Sequence, residues 1–383
     1  MTICSLQEVA TIISGQSPNS KYYNTEGNGI PFFQGKADFG SLYPKVRVYC
    51  TNPIKIAEKD DILLSVRAPV GPTNLSPGKV CIGRGLTAIR PTEQIKLKYL
   101  LNFFKYFETQ LQGKGTGTTF KAITQNVIKN IKVPVPPLPE QERIVARIEE
   151  LFSELDKAVE TLKTTKQQLA VYRQAVLKEA FRNITVKKTI RELSSFVTSG
   201  SRGWAKYYAD TGARFIRITD LTRDSITLKN DSIQYVELPN IAEGKRSRLV
   251  QGDVLVSITA DLGSIALIPP NIGEAYVNQH IAMIRFKNTV QSEYMAWYLK
   301  SDYGQKDLLK NKRGGGKLGL GLDDIRDTNV PVITDSEALK VVSKIDYQLG
   351  NCNQIEKIVD TALQQSEAMR QSILKQAFEG ELI

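Results

Sequence analysis

Apolar positions recur at helical spacing in two long stretches of this chain. From 140 to 182 there is neither proline nor glycine, and positions 144, 148, 151, 155, 158, 162, 165, 169, 172 and 176 hold Ile, Ile, Leu, Leu, Ala, Leu, Thr, Leu, Tyr and Val. Alternating steps of four and three make a heptad seam in which Thr165 is the polar member. Pro134, Pro136, Pro137 and Pro139 bar helix ahead of Glu140. The same positions shifted by 197 hold Val, Ile, Gln, Cys, Ile, Val, Ala, Ser, Met and Ile, a second seam weakened by Gln348 and Ser366. Each stretch predicts a helix of about 43 residues, about 65 Å long. One such helix alone would leave its seam in water. Two in one chain bury their seams against each other most simply as an antiparallel pair, with separate dimerisation helices as the structural alternative.

Ahead of each long stretch the pattern shortens. Ile30–Phe33, Asp61–Val66, Arg214–Ile218 and Asp253–Ile258 read as strands between Gly, Pro, Asn and Asp clusters, and amphipathic helices are predicted at 96–111 and 291–309. The two halves repeat each other. Residues 123–181 align with 320–378 at a constant offset of 197. Upstream the offset drifts: Ser14-Gly15 matches Ser199-Gly200 at 185, Asp61–Val66 matches Asp253–Ile258 at 192, and Ile89-Arg90 matches Ile284-Arg285 at 195. Small insertions therefore fall in the first part of each repeat and none in the last. The predicted fold class is α+β, with two tandem-repeated α/β domains separated by a long antiparallel two-helix coiled coil. The predicted boundaries are 1–138 for the first domain, 139–183 for the central helix, 184–334 for the second domain and 335–383 for the C-terminal helix.

The net charge of +11 is unevenly spread: +9 over 1–138, zero over 139–183, +5 over 184–334 and −3 over 335–383. Two basic regions separated by neutral or acidic helix suit a polyanion with two halves, most simply nucleic acid. No run approaches the roughly 18 apolar residues of a membrane span, and the N-terminus lacks a signal-peptide layout. Cys4, Cys50, Cys81 and Cys352 show no metal or disulfide spacing, so reduced thiols in a cytoplasmic protein are expected.

Catalytic signals are absent. Gly113–Thr119 and Arg313–Leu318 both fail the Gly-x-x-x-x-Gly-Lys-[Ser/Thr] spacing of a phosphate loop. The single histidine, His280, stands in a short apolar strand, where a structural or polar-contact role is expected rather than catalysis. No metal and no cofactor is expected. Three readings remain open: a DNA-recognition protein, a coiled-coil scaffold or adaptor whose basic domains bind protein or RNA, and a methyltransferase or nuclease acting alone.

The run Pro137-Leu138-Pro139-Glu140-Gln141-Glu142-Arg143-Ile144-Val145 lies between a basic domain and a long helix. Arg173–Phe181 and Arg370–Phe378 end the two helices alike, and Phe378-Glu379-Gly380-Glu381-Leu382 follows. Together these resemble the specificity subunit of type I restriction–modification enzymes over the whole chain. The second copy departs from the pattern, with Ile333-Thr334-Asp335-Ser336 in place of the prolines. The resemblance implies two target-recognition domains, each reading half of an asymmetric, bipartite double-stranded DNA site. It also implies helices that act as spacer and as docking surface for two methyltransferase subunits, which restriction endonuclease subunits then join. Methyl donor, ATP and magnesium would belong to those partners.

Candidate DNA contacts fall in two kinds of place. The glycine-rich basic loops offer Lys114, Thr116, Thr118 and Lys121 in the first repeat and Lys312, Arg313 and Lys317 in the second. Strand ends beside turns offer Gln34, Lys36 and Arg67, then Arg217, Thr219, Asn278, Gln279 and His280, all side chains suited to base edges. Lys21-Tyr22-Tyr23 and Lys206-Tyr207-Tyr208 either stack on nucleotides or are packed inside.

Overall fold

The computed structural model describes residues 2–113, 122–238, 242–310, 312–313 and 318–383, with only backbone for 242 and 243. Lys114, Thr116, Thr118, Lys121 and Lys317 lie outside the described residues. By compactness the chain forms two units, one of residues 1–162 with 360–383 and the other of 163–359. Each unit takes one mixed region and part of both long helices.

In the first unit an antiparallel sheet orders its strands Ala10–Ser14, Leu86–Pro91, Ile62–Ser65 and Thr73–Leu75. A second sheet is centred on Ile30–Phe33, which pairs in parallel with Val80–Ile82. Every residue of Ile62–Ser65 is buried, as an unbroken apolar run requires. The helix Leu97–Gly113 buries Tyr99, Leu100, Phe103, Phe104 and Phe107. The long helices join this core: Ile144, Val145 and Ile148 from Leu138–Ala180, and Leu374, Ala377 and Phe378 from Asp335–Glu379. The Phe378 ring packs edge-on against Tyr99 and Phe103, with centroids 5.2 and 5.5 Å apart.

The second unit repeats this plan. Its antiparallel sheet runs Ser194–Ser199, Ile281–Phe286, Val254–Ser257, Ile265–Leu267, and Ala213–Ile216 pairs in parallel with Ala275–Val277. Phe181 takes the place of Phe378 and packs edge-on against Tyr294 and Tyr298 at 5.3 and 5.4 Å. The helix expected over 291–309 is split into Ser292–Lys300 and Asp302–Leu309. Ser301 causes the break: it is extended, its hydroxyl caps Gly304 N–H at 3.3 Å, and a Cβ on Gly304 would stand 2.1 Å from the Tyr298 carbonyl.

The long helices correct the sequence reading at their starts and along their seams. The first begins at Leu138, so Pro139 sits inside the first turn, where a missing N–H costs nothing. The second begins at Asp335 with a reciprocal cap. Thr334 N–H and Oγ donate to the Glu337 carboxylate at 2.9 and 2.7 Å, and Glu337 N–H donates back to Thr334 Oγ at 3.3 Å. Along the second helix Ala338, Val342, Ile345, Leu349, Cys352 and Val359 are buried, whereas Ile355 and Met369 are 44% and 54% exposed. Half of the expected seam is thus displaced by one residue, with Leu349 buried instead of Gln348 in the contact row. In each unit the helix segments run antiparallel. In the first, Ile144 and Ile148 share a core with Leu374 and Phe378, and Asp156 pairs with Arg370. In the second, Val176 shares a core with Ile345 and Leu349, and Arg173 pairs with Glu356 at 2.8 Å.

One ion pair, a partly exposed arginine on a buried aspartate, is built twice. Arg90 grips Asp61 through Nε and Nη2 at 2.7 and 2.8 Å, and Arg285 grips Asp253 at 2.8 and 2.7 Å. Each aspartate also accepts a turn N–H at 2.8 Å, from Glu58 and Val250. The carboxylates are fully committed at the start of the central strand of each unit.

Candidate nucleic-acid interface

The central strand of each unit ends in a tight connection of the same build. Ser65 Oγ donates to the Pro69 carbonyl at 2.8 Å, and Gly71 N–H donates to the Ser65 carbonyl at 2.9 Å. In the second unit Ser257 Oγ donates to the Asp261 carbonyl, and Gly263 N–H donates to the Ser257 carbonyl at 3.0 Å. Three further backbone bonds place a neighbouring turn against it. Val66 N–H donates to the Gly85 carbonyl at 3.0 Å, as Ile258 N–H does to His280 at 2.9 Å. Gly83 N–H donates to the Phe33 carbonyl at 2.8 Å, as Asn278 N–H does to Ile216 at 3.0 Å. Ile123 N–H donates to Val66 and Leu320 N–H to Ile258, both at 3.0 Å. Gly83-Arg84-Gly85 therefore occupies the place of Asn278-Gln279-His280, Arg67 that of Thr259, and Gln34 that of Arg217.

The first unit gathers Gln34, Arg67 and Arg84 around this frame, and all three are exposed. The guanidinium groups of Arg67 and Arg84 make no ion pair or hydrogen bond with other described residues. Gln34 N–H donates to Asp38 at 2.8 Å, the last residue of the short helical turn Lys36–Asp38 that carries exposed Lys36.

The second unit is wired more tightly. Arg217 is half-buried; its N–H donates to Asp220 at 2.7 Å and its Nη2 to the Ser232 carbonyl at 3.0 Å. Thr219 is exposed, its hydroxyl 3.5 Å from Asp220. Asn278 is 7% exposed and holds the turn, its Oδ1 accepting His280 N–H at 3.0 Å. His280 Nδ1 lies 2.7 Å from Thr259 Oγ and Nε2 lies 2.9 Å from Gln279 Nε2. With the Gln279 amide donating, the neutral ring carries its proton on Nδ1 and donates to Thr259. No described carboxylate bonds this ring, so the hydroxyl–imidazole contact lacks the orienting acid of a nucleophilic triad. Lys312 and Arg313 are exposed, Arg313 pairing with Asp324 at 3.1 Å and exchanging backbone bonds with Gly319.

Arg84 and Thr259 were not among the residues expected from sequence. The signal was present: the offset of 195 maps Gln279 onto Arg84, and the offset of 192 maps Arg67 onto Thr259. The repeated tyrosines are partly packed. Tyr23 donates to the Pro18 carbonyl at 2.7 Å and lies against Phe32, while Tyr208 is 46% exposed. Lys21 and Lys206 cover the rings of Tyr22 and Tyr207 at 4.9 and 4.8 Å. The Ser-Gly repeats are explained by close approach. A Cβ on Gly15 would stand 2.2 Å from the Gly83 carbonyl, and one on Gly200 would stand 1.9 Å from that of Val277. Among the described residues no group of three or more His, Cys, Asp or Glu is arranged to hold a metal ion, and no helix is long and apolar enough to cross a membrane.

Arginine, glutamine and threonine at the edges of turns are donors suited to base edges and phosphates, and one repeated frame carries two such clusters, exposed in the first unit and half-buried in the second. Residues 1–170 and 189–365 both match the family described as the type I restriction modification DNA specificity domain. The chain belongs to this family. It is 41% identical over 167 residues to the MjaX specificity subunit of Methanocaldococcus jannaschii, covering 43% of this chain and 38% of that protein. Similarity to the EcoBI specificity subunit of Escherichia coli is 22% identity over 99% of this chain and 85% of the relative. Among solved structures, a chain of a type I R-M system superposes with a TM-score of 0.79 at 18% identity, covering 99% of this chain and 98% of the other. The HsdS subunit of Thermoanaerobacter tengcongensis superposes at 0.59, also at 18% identity, covering 99% and 97%. At these identities the superpositions speak for the fold alone.

Proposed function

We propose that this chain is the non-catalytic DNA-specificity subunit of a type I restriction–modification complex. Residues 1–138 and 184–334 act as two target-recognition domains on one asymmetric, bipartite site. The observation that carries this reading is the repeated frame with exchanged side chains. The same backbone bonds present Gln34, Arg67 and Arg84 in one unit and Arg217, Thr259 and Gln279 in the other. A structural repeat would keep its side chains, whereas a pair of readers for different sequences must change them. The two glutamines, the threonine and the arginines supply donors for base edges, and Lys36, Lys312 and Arg313 lie exposed for phosphate.

The long helices are the proposed spacer and the docking surface for two methyltransferase subunits, with restriction endonuclease subunits joining the assembly. On the second unit Val171, Tyr172, Leu339, Tyr347, Ile355 and Ile358 expose apolar surface on these helices, beyond what the pair itself buries. The localised basic charge and the exchanged turn side chains favour this reading over a protein scaffold.

The test is methylation-site mapping of the chain assembled with a methyltransferase partner. Exchanging residues 1–138 for the equivalent region of a relative is expected to change one half of the recognised sequence and leave the other. A change in both halves overturns the two-reader arrangement, and methyl transfer by the chain alone overturns its non-catalytic role. A heptad inserted after Thr164 with a matching heptad near Thr361 adds about 10 Å of helix, about three base pairs at 3.4 Å each. An unchanged spacer with both halves still read would show that the helices are not the ruler.

A further inference from the structure

The connection that carries Thr259 is held in a way its counterpart is not. Ala260 adopts φ of +57°, a left-handed conformation that a residue with a Cβ takes only under restraint. The next residue, Asp261, supplies the restraint. Its Oδ1 accepts from Arg223 Nε at 2.9 Å and from Arg223 Nη2, its Oδ2 accepts from Ser264 Oγ at 2.8 Å, and its carbonyl accepts from Ser257 Oγ. Arg223 is itself anchored. The preceding Thr222 carbonyl accepts Lys300 Nζ at 3.2 Å, the Thr222 hydroxyl donates to the Ser225 carbonyl at 3.0 Å, and the Ile226 carbonyl accepts Leu267 N–H at 2.7 Å. In the first unit the place of Asp261 is taken by Pro69, whose ring fixes its own φ without any partner.

Both side chains of the Arg223–Asp261 pair are 53% exposed. Exposed pairs contribute little to folding stability, so stability alone is a poor account of a strut with this many bonds. From Asp261 the restraint passes through Ala260 to Thr259, from Thr259 Oγ to His280, and from His280 to Gln279.

We propose that the Arg223–Asp261 pair is a positioning clamp for base selection by the second unit. It fixes Thr259, and through it His280 and Gln279, so that their donors and acceptors meet base edges without first being ordered. Pre-set donors discriminate more sharply than mobile ones, because a mismatched base leaves them unpaired. The proposal rests on the DNA-reading function above and adds residues that need not touch DNA.

The experiment uses the full chain assembled with its methyltransferase partner. Affinities are measured for the recognised sequence and for single-base substitutions in each half-site, for the parent and for Arg223→Ala, Asp261→Ala, the double variant and Asp261→Asn. The expected result is a loss of about tenfold in discrimination within the second half-site, of similar size in both alanine variants. The double variant should be no worse than either. Discrimination in the first half-site and the salt dependence should not change, and Asp261→Asn, which keeps one acceptor oxygen for Arg223 and loses the other along with the charge, should retain part of the discrimination. The intact first half-site reports that each variant is folded and assembled. Unchanged selectivity in all variants overturns the clamp. So does a shallower salt slope confined to Arg223→Ala with additive effects in the double variant, because Arg223 would then be a phosphate ligand. A parent complex with no sequence preference would overturn the DNA-reading function itself, and the clamp with it.

Discussion

The turns Gly83-Arg84-Gly85 and Asn278-Gln279-His280 occupy the same place in their units and solve different problems there. In the first, a Cβ on Gly85 would stand 2.1 Å from the Gln34 carbonyl, so backbone closes over the turn and Arg84 is its one protruding side chain. In the second, both flanking positions carry side chains, and these are spent inward: Asn278 holds the turn, and His280 links Gln279 to Thr259. The first unit offers the guanidinium groups of Arg67 and Arg84, unpaired among the described residues, while the second offers a hydrogen-bonded chain of polar groups from Thr259 through His280 to Gln279. On the proposed function, a reader is built either from long exposed cations on a tight turn or from polar groups ordered by one another. The first kind suits guanine, whose N7 and O6 accept a forked donor.

The shared part of the frame gives the largest expected effect. Asp61→Ala and Asp253→Ala each remove the acceptor shared by a partly exposed arginine and a turn N–H, and each is expected to cost about 2 kcal/mol. Thermal unfolding of the two variants checks this, and markedly unequal losses would break the equivalence of the two frames. The exchanged part gives the next effect. Arg67→Ala or Arg84→Ala should cost about 1–3 kcal/mol of DNA binding and relax one position of the first half-site. Gln279→Ala should act on the second half-site. Binding-site selection on the variants reads this out, and relaxation in the wrong half would reverse the assignment of readers.

The smallest effect concerns pH. Glu8, Glu192 and Glu337 cap helix starts, and hydrogen bonds from Ser5, Thr189 and Thr334 hold their carboxyls below the ordinary 4.5. A lowered folded pKa means that the caps contribute fully above 4.5 and are lost as pH falls through the depressed values. Helix content between pH 5 and 3 should therefore fall less steeply in Glu337→Gln, which keeps an acceptor without titrating. An identical profile would show that the second long helix does not depend on its cap. The comparison is between the two helix starts, since the first relies on Pro139 rather than on a titrating cap.

The long helices, the strands Ile30–Phe33, Ile62–Ser65 and Val254–Ser257, and the repeat were legible in sequence, because periodicity and burial write them directly. The face of the second helix was not. Carrying the first helix's phase across the offset of 197 placed Ile355 and Met369 in the contact row, where the structure exposes them. Two antiparallel helices need not present matching residues to each other, so internal homology fixes the helix but not its seam. The candidate interface was half legible. Residue type alone drew attention to Arg67 and to Asn278–His280, yet their partners across the repeat, Thr259 and Arg84, were passed over. Asn278 has the chemistry of a base reader, but its side chain is committed to the turn, a cost that sequence does not display. The Arg223–Asp261 pair brings together residues 38 positions apart in the chain, and no local pattern marks such a pair.

The bonds that seat both turns in the same place run from main chain to main chain, and this has a consequence for inheritance. A peptide group offers the same donor and acceptor whatever side chain it carries, so replacing Arg84 or Gln279 leaves these shared backbone bonds in place. On the proposed function, a new target would then be reached by point changes at these positions without disturbing the backbone bonds that seat the turn. At Gly85 that freedom stops, because backbone already fills the space a side chain would need. On that reading the first unit would change target through its arginines. The second, with side chains at all three turn positions, has a wider alphabet, at the cost of disturbing its chain of side-chain hydrogen bonds.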